Sequence, residues 1–205
     1  TRTTRRKDFR ELIRYLSQNS SLLVVFLIAA ILNLALVGLT IGAPVIVAKH
    51  LGMQSSFVGI IEVAMGLGGL VGSGLVGIWP HRFSFKGICR YVAMICFGVV
   101  PIIVTLLSGP NEFAFVALAA GSAWVMAWAS ITSVEIVSFV QRSAPKELCG
   151  KVLALVYMTL SCATPIGQLV YGLAYDRWTP AIVFAGMLAV LTLMTALFYR
   201  LKSRL

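Results

Sequence analysis

Six stretches of the chain are apolar over a length that the core of a water-soluble domain does not need. They cover roughly 22–48, 57–79, 87–107, 112–140, 149–174 and 180–199. Each is near or above the about 20 residues with which an α-helix crosses roughly 30 Å of hydrocarbon. Backbone groups in lipid must be satisfied within the segment, so open strands are excluded. The polar residues between the runs fall in short links at 49–56, 80–86, 108–111, 141–148 and 175–179. The pattern predicts an all-α membrane protein: a bundle of six transmembrane helices over residues 21–205, with sequential helices as antiparallel neighbours.

Before the first run, Phe9, Leu12, Ile13 and Leu16 recur at helical spacing, opposite Arg10, Glu11, Arg14 and Gln18. Residues 1–20 are expected to form a cytoplasmic linker with a short amphipathic helix in the membrane interface. Contact with anionic membrane lipids and a plain linker role both fit it. The opening residues Thr1 to Lys7 carry neither an initiator Met nor a signal-peptide pattern. They read as a cut within a longer polypeptide.

The spans differ in polarity. The third and sixth are almost pure hydrocarbon, with Thr105, Thr192 and Thr195 as their main interior polar residues. The fourth carries Ser122, Ser130, Thr132, Ser133, Glu135 and Ser138, the fifth Thr159, Ser161, Thr164, Pro165 and Gln168, and the first Asn33, Thr40 and Pro44. Polar residues at membrane depth face protein or water. The third and sixth helices are therefore expected at the periphery and the others around an interior surface. That alternation, repeating every three helices, is expected of an inverted three-plus-three repeat.

Composition agrees with the hydropathy pattern: 59% of the 205 residues are hydrophobic and 12% charged, half the charged share of an average soluble domain. The net charge of +10 sits in links between apolar runs rather than on one continuous patch, so no nucleic-acid partner is expected. Of the 17 Lys and Arg residues, all but Lys49 and Arg177 fall on one side of the predicted membrane. By the positive-inside rule both termini are cytoplasmic, in what would be a bacterial cell membrane.

Glu62 and Glu135 are the acidic residues set well inside spans. A carboxylate at the bilayer centre costs about 2.5–3.5 kcal/mol on insertion scales, so each is a candidate for proton coupling, against a structural ion pair. For Glu135 the ion-pair reading has a named partner, Arg142, seven residues on and on the same helix face. Trp124, Trp128 and Glu135 share one helical stripe, an aromatic face that suits a lipophilic cation and equally suits helix packing. The second span holds seven glycines. Gly68 and Gly72 form a GxxxG pair, and Gly69, Ser73 and Gly77 a parallel small-residue ridge; both predict close helix contact. Cys89, Cys96, Cys149 and Cys162 have no ligand spacing, and His50 and His81 lie in links on opposite sides. No catalytic motif, metal site or cofactor is expected, and the chain is not read as an enzyme.

The segment from Gln141 to Val152, with Gln141, Pro145, Glu147, Gly150 and Lys151 in place, resembles the Q-x-x-x-P-x-E-x-x-G-[RK]-V pattern of major facilitator superfamily transporters. Pro165-Ile166-Gly167 and Gly172 to Asp176 look like the end of a fifth helix in such a half. Leu51-Gly52 followed by Gly59 to Glu62 resembles the second helix of bacterial macrolide-efflux-type exporters. The stretch Gly77 to Arg82 lacks the acidic residue of the superfamily's usual loop motif. The resemblance implies the C-terminal six helices of a twelve-helix transporter, closed by a homologous N-terminal half, with substrate bound between them.

The expected function is secondary active, proton-coupled export of a small amphipathic compound. Glu62, Asn33, Trp124, Trp128, Glu135 and Gln168 are the candidate cavity or coupling residues. Lipid or siderophore export by the same fold, and a non-transporting scaffold or receptor subunit, are the competing readings.

Overall fold

The structure, a computed structural model, describes residues 19–109 and 112–202; the expected interfacial helix lies outside them. Six helices account for almost all of the described chain: α1 (Ser20–Val45), α2 (Ser55–Ile78), α3 (Ile88–Leu107), α4 (Glu112–Ser143), α5 (Lys146–Arg177) and α6 (Pro180–Lys202). All six are long and apolar enough to cross a membrane.

The first helix ends differently from expectation. Residues 46–50 continue α1 as a π-helical turn, so His50 belongs to the helix end rather than to a link. Pro44 lies just before that turn. Its missing N–H releases a carbonyl one turn back, and wider i→i+5 bonding absorbs such a mismatch. The link between α4 and α5 is also shorter than the apolar pattern shows. Gln141 to Ser143 complete α4, and only Ala144 and Pro145 remain between the helices. Pro145 caps α5, its carbonyl accepting the N–H groups of Leu148 and Cys149 at 2.9 Å each. With 32 residues each, α4 and α5 extend about 48 Å, well past the hydrocarbon, and so carry their polar ends beyond it.

Sequential helices are mostly not close neighbours, contrary to the expectation from short links. α3 packs along α4, but α2 lies against α4, α1 against α5 and α6, and α3 against α6. Surface shape, not link length, selects the partners. On α2, Gly68 and Gly72 sit directly over the backbone of Ala123 and Ala127 on α4. A Cβ on either glycine would overlap the facing carbonyl oxygen. Gly98 of α3 is covered by the Trp124 ring, and Gly121 of α4 by Ile102 and the Gly98 carbonyl. Between α1 and α5 the same device uses rings: Tyr171 lies over Gly38 and Tyr175 over Gly42. The Tyr175 hydroxyl donates to the Gly38 carbonyl at 2.9 Å.

Exchanging the first three helices for the last three converts the α2–α4 pair into α5–α1 and the α3–α4 pair into α6–α1. It leaves α3–α6 as itself, and each of these pairs is in contact. Related helices are three crossings apart and therefore oppositely directed, which makes the bundle an inverted three-plus-three repeat. Composition misjudges α3, which is more buried than either α2 or α5. One face of it, including Tyr91, Ile95, Val99 and Ile102, is closed off by α4 and α6.

The link between α2 and α3 is held by aromatic groups. Ser84 N donates to the Tyr91 hydroxyl at 2.9 Å, and that hydroxyl lies 3.2 Å from the Ser84 carbonyl. Phe85 stacks on Phe139 of α4 at 4.1 Å and meets Phe198 of α6 edge-on at 6.3 Å. The start of α3 and the ends of α4 and α6 thus meet at one end of the bundle, where most of the cations lie. At the other end Lys49 and Asp176 are 3.6 Å apart and largely exposed, an ion pair worth at most about 1 kcal/mol.

The glycine seam gives a direct test. Gly72→Ala should destabilise the bundle by about 1–3 kcal/mol, since a backbone carbonyl must move to admit the methyl. Gly74→Ala, where nothing lies within 4 Å, should leave stability unchanged or raise it slightly. Unfolding midpoints of the two variants in mixed micelles check both; equal midpoints would remove the seam from its role.

Candidate functional site

A cavity of about 80 Å³ lies where α1, α4 and α5 converge. α1 contributes Leu32, Asn33 and Leu36, α4 contributes Thr132, Ser133 and Ile136, and α5 adds Tyr157. No lining residue comes from α3 or α6, nor from α2, which was expected among the lining helices. Ser133 and Tyr157 are exposed, so the cavity opens to the outside of the described bundle. Its volume exceeds a single water's share of about 30 Å³ but falls far below the about 300–1,000 Å³ of a drug-sized site. It is one wall of a binding space rather than a closed pocket.

Asn33 stands near the middle of α1 and its side-chain oxygen accepts from Thr164 of α5 at 3.1 Å. The Thr164 hydroxyl is also 3.1 Å from the Leu160 carbonyl in its own helix. This contact links two helices at membrane depth, where a polar group without a partner is costly. Gln168 lies one turn beyond Thr164 and is exposed; it does not line the cavity, although its helical position continues the Thr164 stripe.

The other candidates are spread apart. Trp124 and Trp128 face α3, not the cavity. The Trp124 indole donates to the Met94 carbonyl at 2.8 Å, and Trp128 stacks on Tyr91 with centroids 5.9 Å apart. Glu135 follows Trp128 by two turns on the same stripe and is 2% exposed. Its Oε2 has no hydrogen-bond partner among the described residues. Arg142 does not serve it, donating instead from Nε to the Ser138 carbonyl at 3.2 Å. The cavity-lining Thr132 and Ile136 lie within one turn of Glu135 on α4, but Glu135 itself does not line the cavity. Glu62 is exposed on α2, away from both.

The loop-motif residues gather around the α4–α5 corner. Gln141 lies in the last turn of α4, Pro145 caps α5, and Gly150 and Lys151 occupy its first turns; the side chain of Glu147 is outside the described set. Among the described residues no three His, Cys, Asp or Glu side chains come together to hold a metal.

Thr164, Thr132 and Ser133 were not singled out from sequence, though each lay in a span marked as polar. The available signal was spacing: Thr164 precedes Gln168 by one turn, and Thr132-Ser133 precede Glu135 within one turn. Ser122, fully buried with Oγ unpartnered among the described residues, carried no such signal.

Comparison with curated proteins gives no match, and neither does comparison with solved structures. A family model described as transmembrane secretion effector matches residues 3–205, nearly the whole chain. Six membrane-length helices in two inverted triplets accord with that match, and the chain belongs to the transmembrane secretion effector family of major-facilitator-type transporters.

Proposed function

We propose that this chain is the C-terminal half of a proton-coupled exporter of small amphipathic compounds, inserted in a bacterial cytoplasmic membrane with both termini inside. The observation that carries the reading is the open cavity wall at Asn33, Thr132 and Ser133. It sets a few polar groups in a mostly apolar wall within the spans, is too small to enclose a substrate, and is open to one side. A second six-helix half would close it.

The surface around it supports a protein partner. α2 and α5 are the least buried of the six helices. The exposed side of α2 carries Gly59, Gly66, Gly74 and Gly77, each with nothing within 4 Å of a notional Cβ, and Ser73 beside them. Lipid tails gain nothing from small residues, whereas a facing helix gains close approach. Leu169, Val170 and Leu173 supply the apolar surface on α5.

In this reading Asn33 and Thr164 bind the polar end of the substrate, with Gln168 at the rim. Glu135 takes up the proton. It is buried and its Oε2 has no partner among the described residues, so gaining or losing a proton changes the packing of α4 against α3 and, through Thr132 and Ile136, the cavity wall. Trp124 and Trp128 act as the rigid seam against which that change is exerted. Glu62 stands at the contact with the second half.

Two substitutions test the assignment in inverted vesicles carrying the full-length transporter. Glu135→Gln should reduce uptake driven by a pH gradient about tenfold or more while leaving substrate exchange without a gradient in place. Unchanged gradient-driven uptake would remove Glu135 from coupling. Asn33→Ala should weaken apparent substrate affinity about three- to tenfold and leave the proton dependence as it is; an unaltered affinity would place the substrate elsewhere.

A further inference from the structure

Three polar groups on the wall of the α1–α4–α5 cavity have bonding capacity left over. A hydroxyl in a membrane helix usually donates to a carbonyl of the preceding turn, and on this wall Thr132 does so, to the Trp128 carbonyl at 2.7 Å. Ser133 and Tyr157 do not. Among the described residues neither hydroxyl has a hydrogen-bond partner. Asn33 is half used: its Oδ1 accepts from Thr164 at 3.1 Å, while its Nδ2, with two N–H donors, has no partner among the described residues. All three side chains line the one cavity. Tyrosine in membrane proteins is enriched at the water interfaces. Tyr157 instead lies within the α5 span Leu148–Arg177, about 16 Å along the helix from Lys146. It is 55% exposed, so its ring offers a flat apolar surface beside the donors.

The wall has no charge to offer. Its other residues are aliphatic, Leu32, Leu36, Ile136 and Leu160 the largest among them. Glu135 follows Ser133 by two residues, which turns it toward the far side of α4. An ammonium or a carboxylate brought here would lose hydration and find no counter-charge on this wall, which is costly in apolar surroundings. A neutral carbonyl or ether oxygen gives up far less hydration and meets N–H and O–H groups that lack an acceptor. We infer that this wall selects uncharged substrates bearing a hydrogen-bond acceptor, the oxygen set among Asn33 Nδ2, Ser133 and Tyr157 and an apolar body against the Tyr157 ring. The inference names the substrate class of the site proposed above and rests on that reading; it concerns the part of the substrate that lies on this half. Tyr157 and Ser133 are its specificity-determining residues. The lipophilic cation that the tryptophan stripe suggests from sequence is disfavoured, because both indoles are engaged on α3.

Three amphiphiles test the inference. They share one alkyl chain with a diazirine beside the head, and the head is an N,N-dimethylamide, a trimethylammonium or a carboxylate. Each is added to the full-length protein in phosphatidylcholine nanodiscs, and cross-linked peptides are quantified by mass spectrometry. Labelling of residues 182–197 on α6, where Ile182, Val190, Leu193 and Leu197 are exposed, corrects for partition into the bilayer. Relative to α6, the dimethylamide should label peptides covering 29–36, 129–137 and 156–160 about tenfold better than either charged probe. Tyr157→Phe and Ser133→Ala should each lower the dimethylamide labelling about threefold and leave that of the charged probes unchanged. Equal or stronger labelling by a charged probe overturns the inference and leaves the transport reading standing, as does dimethylamide labelling that neither variant alters. No enrichment of any probe over α6 overturns the inference and the cavity reading with it. The comparison of the three probes uses the unsubstituted protein, so it decides the matter even if a variant does not fold.

Discussion

Helices in a bilayer gain nothing from hiding apolar side chains from each other, because lipid tails are as apolar as leucine. What holds this bundle is close approach over small residues. Gly68 and Gly72 admit the α4 backbone at Ala123 and Ala127, Gly98 and Gly121 bring α3 onto α4, and Gly38 and Gly42 receive two tyrosine rings from α5. These three seams fix the α2–α4, α3–α4 and α1–α5 pairs. They leave α2 and α5 with open outer faces, and they set the α1–α4–α5 junction where the cavity forms. The Tyr175–Gly38 hydrogen bond adds direction to one seam and the Trp124–Met94 bond to the α3–α4 seam; the α2–α4 seam rests on shape.

The same seams explain how much of the fold was legible. Span number, approximate span limits and the all-α class follow from the length of the apolar runs, since the bilayer imposes a minimum that few soluble helices meet. Partner choice does not follow from those runs. The GxxxG pair on α2 announces a close contact without naming the helix that fills it, and link length pointed to the wrong neighbour. The glycines of α1 and α3 were not flagged at all, because a pair set in a leucine- and valine-rich helix is common. The two triplets also build equivalent contacts from different residues. α2 meets α4 backbone to backbone, while α1 meets α5 through tyrosine rings, so the internal repeat is plain in the packing and faint in the sequence.

For the site, a single residue was read closest to its structural setting. Asn33 lines the cavity, and its side-chain oxygen, an acceptor, takes its donor from Thr164 across a helix boundary. The tryptophan stripe fared differently. Trp124 and Trp128 occupy one face as their spacing requires, but an indole in a helix seam and an indole in a cavity have the same periodicity. Only the Met94 carbonyl and the Tyr91 ring, both on α3, tell which it is.

A general reason lies behind these differences. Most hydroxyls inside the spans are absorbed locally: Thr40, Ser73, Thr105, Thr132, Thr159, Thr192 and Thr195 each bond to a carbonyl three or four residues back. Such a residue costs little in lipid and predicts little about function. Counting polar residues per helix therefore overstates the interior surface. An amide oxygen or a carboxylate is an acceptor and cannot bond a helix carbonyl as a hydroxyl does, so it takes a donor from elsewhere. Asn33 meets that need with a hydroxyl from another helix, and Glu135 leaves Oε2 without one among the described residues. The distinction between self-satisfied hydroxyls and groups that must look elsewhere separates the residues that merely tolerate the membrane from those that depend on a neighbouring helix.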